Sequence, residues 1–240
     1  VDGELPEKTL VTPQQATKEA IRWLARLERG EISCVTRRQL DVVLSPVEIE
    51  KRIRTFGDFS KLNRKINTEN SKTTHSRMLK NPNEWKEYHR QYREARKTWN
   101  VIPYEVWIDK IKKMAPNLII GDFGCGEAKI AEAIGNRVKS FDHVSIDPNV
   151  ESCDMKSVQV ESGTLNVVVF SLALMGKDWQ AYLKEAARCL SVGGDLFISE
   201  TTNSLSERLE TLRDVIQENG FEIFSDYEKA QFTFIEARKI

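Results

Sequence analysis

The chain has 240 residues, of which 40% are hydrophobic and 30% charged, which is enough apolar material for one sizeable core and a smaller lobe. The formal charge is zero, but residues 1–116 hold 24 Lys and Arg against 16 Asp and Glu, whereas residues 117–240 hold 12 against 20. The apolar runs are too short to span a bilayer and the amino-terminal residues are polar and amphipathic, so we expect neither a membrane span nor a signal peptide.

The amino-terminal part, residues 1–60, is predicted to form a small helical module. Thr12-Pro13 is typical of a helix start, and Ser45-Pro46 followed by Glu48 forms a capping box. Because the first residue is not Met, we expect the chain to belong to a larger protein or complex, joined through residues 1–60.

Residues 61–116 are predicted to form a basic helical segment that covers the site described below. The polar stretch Asn67–Thr74 predicts a linker or mobile loop. Helical spacing resumes over Pro82–Trp99, and a further helix begins at Pro103.

Residues 117–240 alternate short apolar runs with helical stretches, which predicts an α/β domain with a largely parallel sheet. The predicted strands are Leu118–Ile120, Val138–Asp142, Val150–Asp154, Val167–Phe170, Leu196–Glu200 (preceded by Gly193-Gly194), Phe221–Phe224 and Phe232–Glu236. The predicted helices are Ala128–Asn136, Trp179–Leu190 and Leu205–Asn219. We expect the last two strands to form an antiparallel hairpin.

A glycine-rich turn, Gly124-Cys125-Gly126, directly follows the first strand of this domain. Ligands of open parallel sheets lie beyond the carboxyl ends of the strands, where such a turn lets them approach the backbone. Lys129 stands where a dinucleotide-binding turn would have its third glycine, and Glu127 would repel a pyrophosphate. A ligand without phosphate, such as S-adenosylmethionine, suits the turn better.

Carboxylates follow the next two strands. Asp142 ends the second strand, where an acid that binds a ribose diol is expected, and Asp147 is its rival. Asp154, with Met155, ends the third strand and is placed to bind an adenine edge. Any single Asp at such a position is more often a loop cap, but three in series favour an adenosine site.

The cysteines and histidines do not indicate a metal. None of the four cysteines forms a CxxC pair, and the chain has only three histidines. We therefore predict no metal site, and the cysteine usage is typical of a reducing, intracellular compartment.

Several segments together resemble the nucleomethylin (ribosomal RNA-processing protein 8) family of class I methyltransferases. They are Asp122–Gly126, Phe141-Asp142, Asp147-Pro148, Cys153–Met155, Phe170–Gly176 and, upstream, Tyr88-His89 with Lys97 and Trp99. The resemblance covers roughly residues 62–240. It implies a Rossmann-like, seven-stranded, mostly parallel sheet and transfer of a methyl group from S-adenosylmethionine to N1 of a ribosomal RNA adenosine.

The resemblance also implies a set of cofactor-binding residues. They are His89, Gly124, Asp142, Asp154, Met155 and Ser171, where Ser171 replaces a Cys of the family. Asp122 and Gly126, the two ends of the segment that contains the glycine turn, are predicted to belong to the same cofactor site. Catalytic residues are not identified. The location implied is intracellular: the nucleolus in a eukaryote, or the cytoplasm in a prokaryote.

Some residues have two interpretations. His89 is either an interhelical histidine or a cofactor ligand, and Trp85, Tyr88 and Tyr92 either pack in a core, which we favour, or stack on RNA bases. Cys125 has no basic partner nearby in sequence and is interpreted as a small filler. The basic half either contacts RNA or is an ordinary helical surface, and Lys51–Arg54 and Lys61–Lys65 are its best phosphate candidates.

Three functions remain open from the sequence: an RNA adenine methyltransferase, a small-molecule or protein methyltransferase, and a non-catalytic S-adenosylmethionine-binding scaffold. The segment Ser171–Met175 replaces the (Asp/Asn)-Pro-Pro-(Tyr/Phe) sequence typical of enzymes that methylate exocyclic amines. The exocyclic amine is therefore a poor candidate for the acceptor.

Overall fold

The computed structural model of the chain describes residues 59–145 and 147–240. Residues 62–90 and 100–240 belong to one compact unit, and residues 59–61 and 91–99 are the described part of a second. The helical module predicted over residues 1–60 lies, except for its last two residues, outside the described part, as does the basic stretch Lys51–Arg54.

Four helices precede the sheet within the described residues. They are α1 (59–67), α2 (Ser71–Lys80), α3 (Pro82–Arg96) and α4 (Pro103–Ile111). The loop predicted over Asn67–Thr74 is wrong, because only residues 68–70 separate α1 from α2. Ser71, Thr74 and Met78 lie on one buried face of α2, and hydrogen bonds satisfy the two hydroxyl groups there.

Seven strands in the described residues form one sheet, as predicted, but the first covers Ile120–Phe123 rather than Leu118–Ile120, so that Asp122 lies on the strand. They are β1 (Ile120–Phe123), β2 (Val138–Asp142), β3 (Val150–Ser152), β4 (Leu165–Ser171), β5 (Leu190–Thr201), β6 (Phe221–Lys229) and β7 (Phe232–Lys239). Their order is β3-β2-β1-β4-β5-β7-β6. The first five strands in this order run parallel, and β7 is antiparallel to both β5 and β6, which confirms the hairpin.

Four helices connect or follow the strands: α5 (Lys129–Ile134), α6 (Gln180–Cys189), α7 (Thr202–Leu205) and α8 (Leu209–Glu218). The helix predicted over Leu205–Asn219 is confirmed over Leu209–Glu218, but its predicted start is wrong, because Leu205 ends a separate helix. Thr201 caps α7 by accepting a hydrogen bond from the Ser204 amide, and Arg208 bonds to the carbonyls of Ser204 and Leu174 before α8 begins. These contacts fix a break between the two helices.

The fifth strand is longer than predicted because it includes Gly193-Gly194, which were expected to precede it. Gly193 has a φ of +77°, and a Cβ on Gly194 would lie 2.9 Å from the Ser191 carbonyl oxygen. The pairing of β4 with β5 shifts register between Leu165 and Val167. The glycines thus form an irregularity within the strand.

The main core lies against the sheet, and β4 is buried almost throughout because it is a central parallel strand. On α4, Trp107 is fully buried, stacks on Phe197 of β5 and donates a hydrogen bond from Nε1 to Ser199 Oγ over 2.9 Å. A second apolar cluster joins Ile66, Met78, Trp85 and Val144. No helix in the described ranges has the length and apolar character that crossing a bilayer requires.

Candidate functional site

The glycine turn leaves the carboxyl end of β1 and is fastened to β2. The amide of Gly124 donates to the Phe141 carbonyl over 2.8 Å. Gly124 has a φ of +75°, and a Cβ there would lie 2.6 Å from Ala173 Cβ and 3.4 Å from Met155 Sδ. The position therefore requires glycine both for its backbone conformation and for the closeness of the chain after β4.

Asp142 joins the turn to α3. Its Oδ2 accepts a hydrogen bond from the Gly126 amide and its Oδ1 accepts one from Trp85 Nε1, each over 2.8 Å. The ring of His89 lies 3.9 Å from that of Trp85, and a Cβ on Gly126 would lie 2.6 Å from His89 Cε1. The structure thus brings together His89, Gly126 and Asp142, which are far apart in sequence, and adds Trp85.

Asp122 lies on β1 and is only 2% exposed. Burial, with a smaller contribution from the charge of Asp142, raises the pKa of its carboxyl from the ordinary value of 3.8 to about 8. At neutral pH the neutral form of Asp122 is therefore favoured. A cationic ligand beside this carboxyl would favour its ionised form.

We expect Asp122→Asn to reduce the pH dependence of stability. Because the folded-state pKa is raised, the neutral acid favours folding at low pH, and stability is lost as the pH rises from about 4 towards 8. The neutral amide cannot ionise, so the free energy of unfolding of the variant should fall less between pH 5 and pH 8.

Urea unfolding at a series of pH values measures this difference. Asp147→Asn, which makes the same change in an exposed turn, is the control. Parallel pH profiles for the wild type and Asp122→Asn would contradict the prediction.

Asp154 lies two residues after β3, rather than at its end as predicted, and contacts α2. Its Oδ1 accepts hydrogen bonds from the Ser71 hydroxyl and from the Lys156 amide, and Lys156 Nζ lies 3.6 Å from Oδ2. The amide of Cys153 donates to the Asp142 carbonyl, which holds the ends of β2 and β3 together. The predicted pair of carboxylates, Asp142 and Asp154, therefore lies at one edge of the sheet.

The loop after β4 (residues 172–178) lies beside the glycine turn. It follows Ser171, whose Oγ accepts a hydrogen bond from Ser199 Oγ over 3.5 Å, and it begins with Leu172 at a φ of +58°. This strained backbone is held from β5, because the amide of Leu172 donates to the Ser199 carbonyl and that of Leu174 donates to Glu200 Oε1.

Glu200 is 5% exposed, and burial raises the pKa of its carboxyl. Arg208 lies on the other side of the loop, where Nη1 donates to the Leu174 carbonyl over 3.1 Å and Nη2 lies 3.9 Å from Glu200 Oε2. Glu200 and Arg208 together fix both backbone groups of Leu174.

We expect Glu200→Ala to destabilise the fold by about 1–3 kcal/mol, because it leaves the Leu174 amide buried without its acceptor. Glu200→Gln keeps one acceptor oxygen and should retain most of the stability. The measurement is urea unfolding, with Glu236→Gln on β7, a buried acid paired with Lys110, as the control. An unchanged free energy of unfolding in Glu200→Ala would refute the role assigned to this hydrogen bond.

The structure separates the residues that the sequence suggested for the site. Asp147 is exposed and caps its own turn, accepting from the Asn149 amide over 2.8 Å, so it does not join the other acids. Cys125 is beside the site, but burial and the nearby carboxylates raise the pKa of its thiol, which disfavours a nucleophilic role. Trp85, Ser71 and Glu200 were not predicted as site residues, and no local pattern marks them.

A family model described as "Hypothetical methyltransferase" matches residues 46–240. The chain belongs to this methyltransferase family. All eight residues predicted to bind the cofactor lie within the part that the family model matches.

The relatives extend this result. A protein of Arabidopsis thaliana named ribosomal RNA-processing protein 8 is 38% identical over 144 residues, which are 60% of this chain and 50% of the relative. The Schizosaccharomyces pombe protein named 25S rRNA (adenine(645)-N(1))-methyltransferase is 32% identical over 197 residues, 76% of this chain and 62% of the relative. The resemblance stated from the sequence is thereby confirmed. The chain spans between 33% and 62% of the length of the curated relatives it matches.

Among solved structures, a TehB-like S-adenosylmethionine-dependent methyltransferase of Corynebacterium glutamicum matches with a TM-score of 0.53 at 17% identity. The match covers 67% of this chain and all of that one. At this identity the likeness concerns the fold, and it confirms the class I methyltransferase architecture.

Proposed function

We propose that the chain is an S-adenosylmethionine-dependent RNA methyltransferase that methylates N1 of an adenosine in ribosomal RNA. The observation that carries the proposal is the meeting of the glycine turn with Asp142 and Asp154 at the carboxyl edge of the sheet. We further propose that His89, Asp122, Gly124, Gly126, Met155 and Ser171 contribute to the same cofactor site.

The residues at this edge fit the cofactor chemically. Asp142 already accepts one hydrogen bond at each oxygen, but a carboxylate oxygen has two lone pairs, so it retains the capacity to bind a ribose diol. Asp154 offers an acceptor to an adenine amine. Asp122 and Asp142 lie where a cationic ligand would favour the ionised form of Asp122 and be stabilised by it.

The cofactor, when bound, supplies a methyl group on a positively charged sulfur. An acceptor such as adenine N1 has a free lone pair and would become positively charged on taking up the methyl group. No proton has to be removed first, so the protein must chiefly orient the base and exclude water. The loop of residues 172–178, held by Glu200, is placed to do this because it borders the glycine turn.

The choice of RNA rests on the names of the relatives and on the excess of basic residues in the amino-terminal half. The same names support an intracellular location, and we propose the nucleolus if the source is a eukaryote and the cytoplasm if it is a prokaryote. We also propose that residues 1–60 form a separate module that joins a larger protein or complex, and that residues 61–116 form a basic segment covering the cofactor site. No observation favours a small-molecule or protein substrate, or a non-catalytic scaffold.

Transfer of tritium from labelled S-adenosylmethionine tests the function. The purified chain is incubated with total RNA, with protein extract or with small-molecule extract, and labelled RNA is digested to nucleosides. We expect label in RNA as 1-methyladenosine, and none with Asp142→Ala. Label that enters only protein or small molecules would overturn the RNA assignment.

A further inference from the structure

Three cationic residues lie in the loop of residues 172–178 or close in sequence to residues that contact it. Lys177 is exposed within the loop, and its backbone amide donates to the Glu69 carbonyl over 2.9 Å. Exposed Lys72 follows Ser71, whose amide donates to Asp178 Oδ1 over 2.8 Å. Exposed Arg64 lies one helical turn before Asn67, whose Oδ1 accepts from the Gly176 amide over 3.3 Å. We call Arg64, Lys72 and Lys177 the rim.

The acids near the rim are already bound to other groups. Glu69 pairs with Arg77, and Asp178 pairs with Lys156 Nζ over 2.7 Å. Lys65, next to Arg64, pairs with Glu84. Within the described part of the chain, the three rim side chains have no ion pair, so their charge is directed to solvent rather than used inside the fold.

The inner side of the same loop, at Ala173, adjoins the glycine turn, whereas the contacts beside the rim residues are made at the other end of the loop, residues 176–178. An acceptor base held against the inner side must leave its strand and present its Watson–Crick edge. The phosphates on either side of that base would then pass the end of the loop at residues 176–178. Lysine and arginine there would neutralise them.

We propose that the rim binds the phosphates of a single-stranded RNA on either side of the acceptor nucleotide. This inference rests on the proposed function, because it assumes that RNA carries the acceptor. The proposed phosphate contacts are three named residues rather than the whole basic half of the chain. One of them, Lys177, lies in the acidic half. The rim determines affinity and register, while base selection belongs to the inner side of the loop.

The test replaces all three residues in one variant, Arg64→Gln, Lys72→Gln and Lys177→Gln. A matched variant carries Lys112→Gln, Lys113→Gln and Lys139→Gln and so removes the same net charge elsewhere on the surface. These three lysines are also exposed and have no ion pair within the described residues. Affinity for a short single-stranded RNA containing adenosine is measured by fluorescence anisotropy over a series of salt concentrations. Calorimetry with S-adenosylmethionine provides the second readout.

We expect the rim variant to bind RNA more weakly, and the slope of log affinity against log salt to decrease in magnitude by about 2, since each lost phosphate contact accounts for about 0.7. Binding of S-adenosylmethionine should be unchanged in both variants, and the matched variant should keep the wild-type slope. Equal RNA affinity and slope in the two variants would overturn the rim while leaving the proposed function intact. A wild-type chain that binds S-adenosylmethionine but neither binds nor methylates RNA would overturn both.

Discussion

Asp142→Ala is expected to weaken S-adenosylmethionine binding by about a hundredfold or more. A hydrogen bond to a charged group contributes about 1.5–3 kcal/mol, and about 1.4 kcal/mol corresponds to a factor of ten in affinity. Two ribose hydroxyls would lose their acceptor. The substitution also leaves the Gly126 amide and Trp85 Nε1 without their acceptor, at about 1–3 kcal/mol of stability each. Isothermal titration calorimetry and urea unfolding measure the two effects.

Two further variants separate binding from folding. Trp85→Phe removes one donor but keeps the carboxylate, so it should destabilise the fold while changing the dissociation constant for S-adenosylmethionine far less than Asp142→Ala. Asp147→Ala removes the exposed rival acid and should leave binding unchanged. If Asp147→Ala weakens binding and Asp142→Ala does not, Asp147 rather than Asp142 binds the ribose, and the proposal names the wrong acid.

Gly124→Ala should abolish most methyl transfer. The new Cβ would lie 2.6 Å from Ala173 Cβ, closer than real Cβ atoms approach, so the turn or the loop after β4 must move. The positive φ adds about 1–2 kcal/mol of backbone strain, and overpacking about 1–3 kcal/mol. Because the displaced elements border the proposed cofactor site, we expect at least a tenfold loss of S-adenosylmethionine affinity as well as reduced stability.

The chain offers a matched control for the backbone strain. Gly163 has a φ of +72°, close to that of Gly124, but a Cβ there would meet nothing within 4 Å. Gly163→Ala should therefore introduce only the backbone strain, with its cost in stability, and the variant should keep its activity. Adding Ala173→Gly to Gly124→Ala removes the colliding methyl group and should restore part of the lost affinity. Equal losses in Gly124→Ala and Gly163→Ala would show that the close contact has no role.

The sheet could be predicted from the sequence because each strand is a short apolar run bounded by turn residues, and the parallel class followed from the helices between them. The order of β7 before β6 at the edge agrees with the predicted hairpin. The ends of the strands were harder to predict from the sequence. Gly193-Gly194 is typical of a strand boundary, yet β5 continues across the two glycines. The strand propensity of a short segment does not take account of the neighbouring strand, whose pairing stabilises such an irregularity.

The candidate site could be predicted only where its residues lie at a strand end or just after one. Asp142 ends β2 and Asp154 lies two residues after β3, and parallel strands place their ends together. The sequence favoured Asp142 over Asp147 because Asp142 ends the strand, and the structure adds that Asp147 caps its own turn. Ser71 was assigned to a loop because its polar neighbourhood hides a buried helix whose partners, Asp154 and Asp178, lie 83 and 107 residues away. No local window contains those partners.

The position of β5 between two strands has a consequence for hydrogen exchange. Phe197 and Ile198 pair with β4 on one side and with β7 on the other, and both are almost completely buried. Amides at such positions are released to solvent only when the whole sheet opens, so their exchange rates give the global free energy of unfolding. Amides of α2 and α3 can exchange through smaller openings. The difference between the two rates measures how readily the helices that contact Asp142 and Asp154 leave an intact sheet.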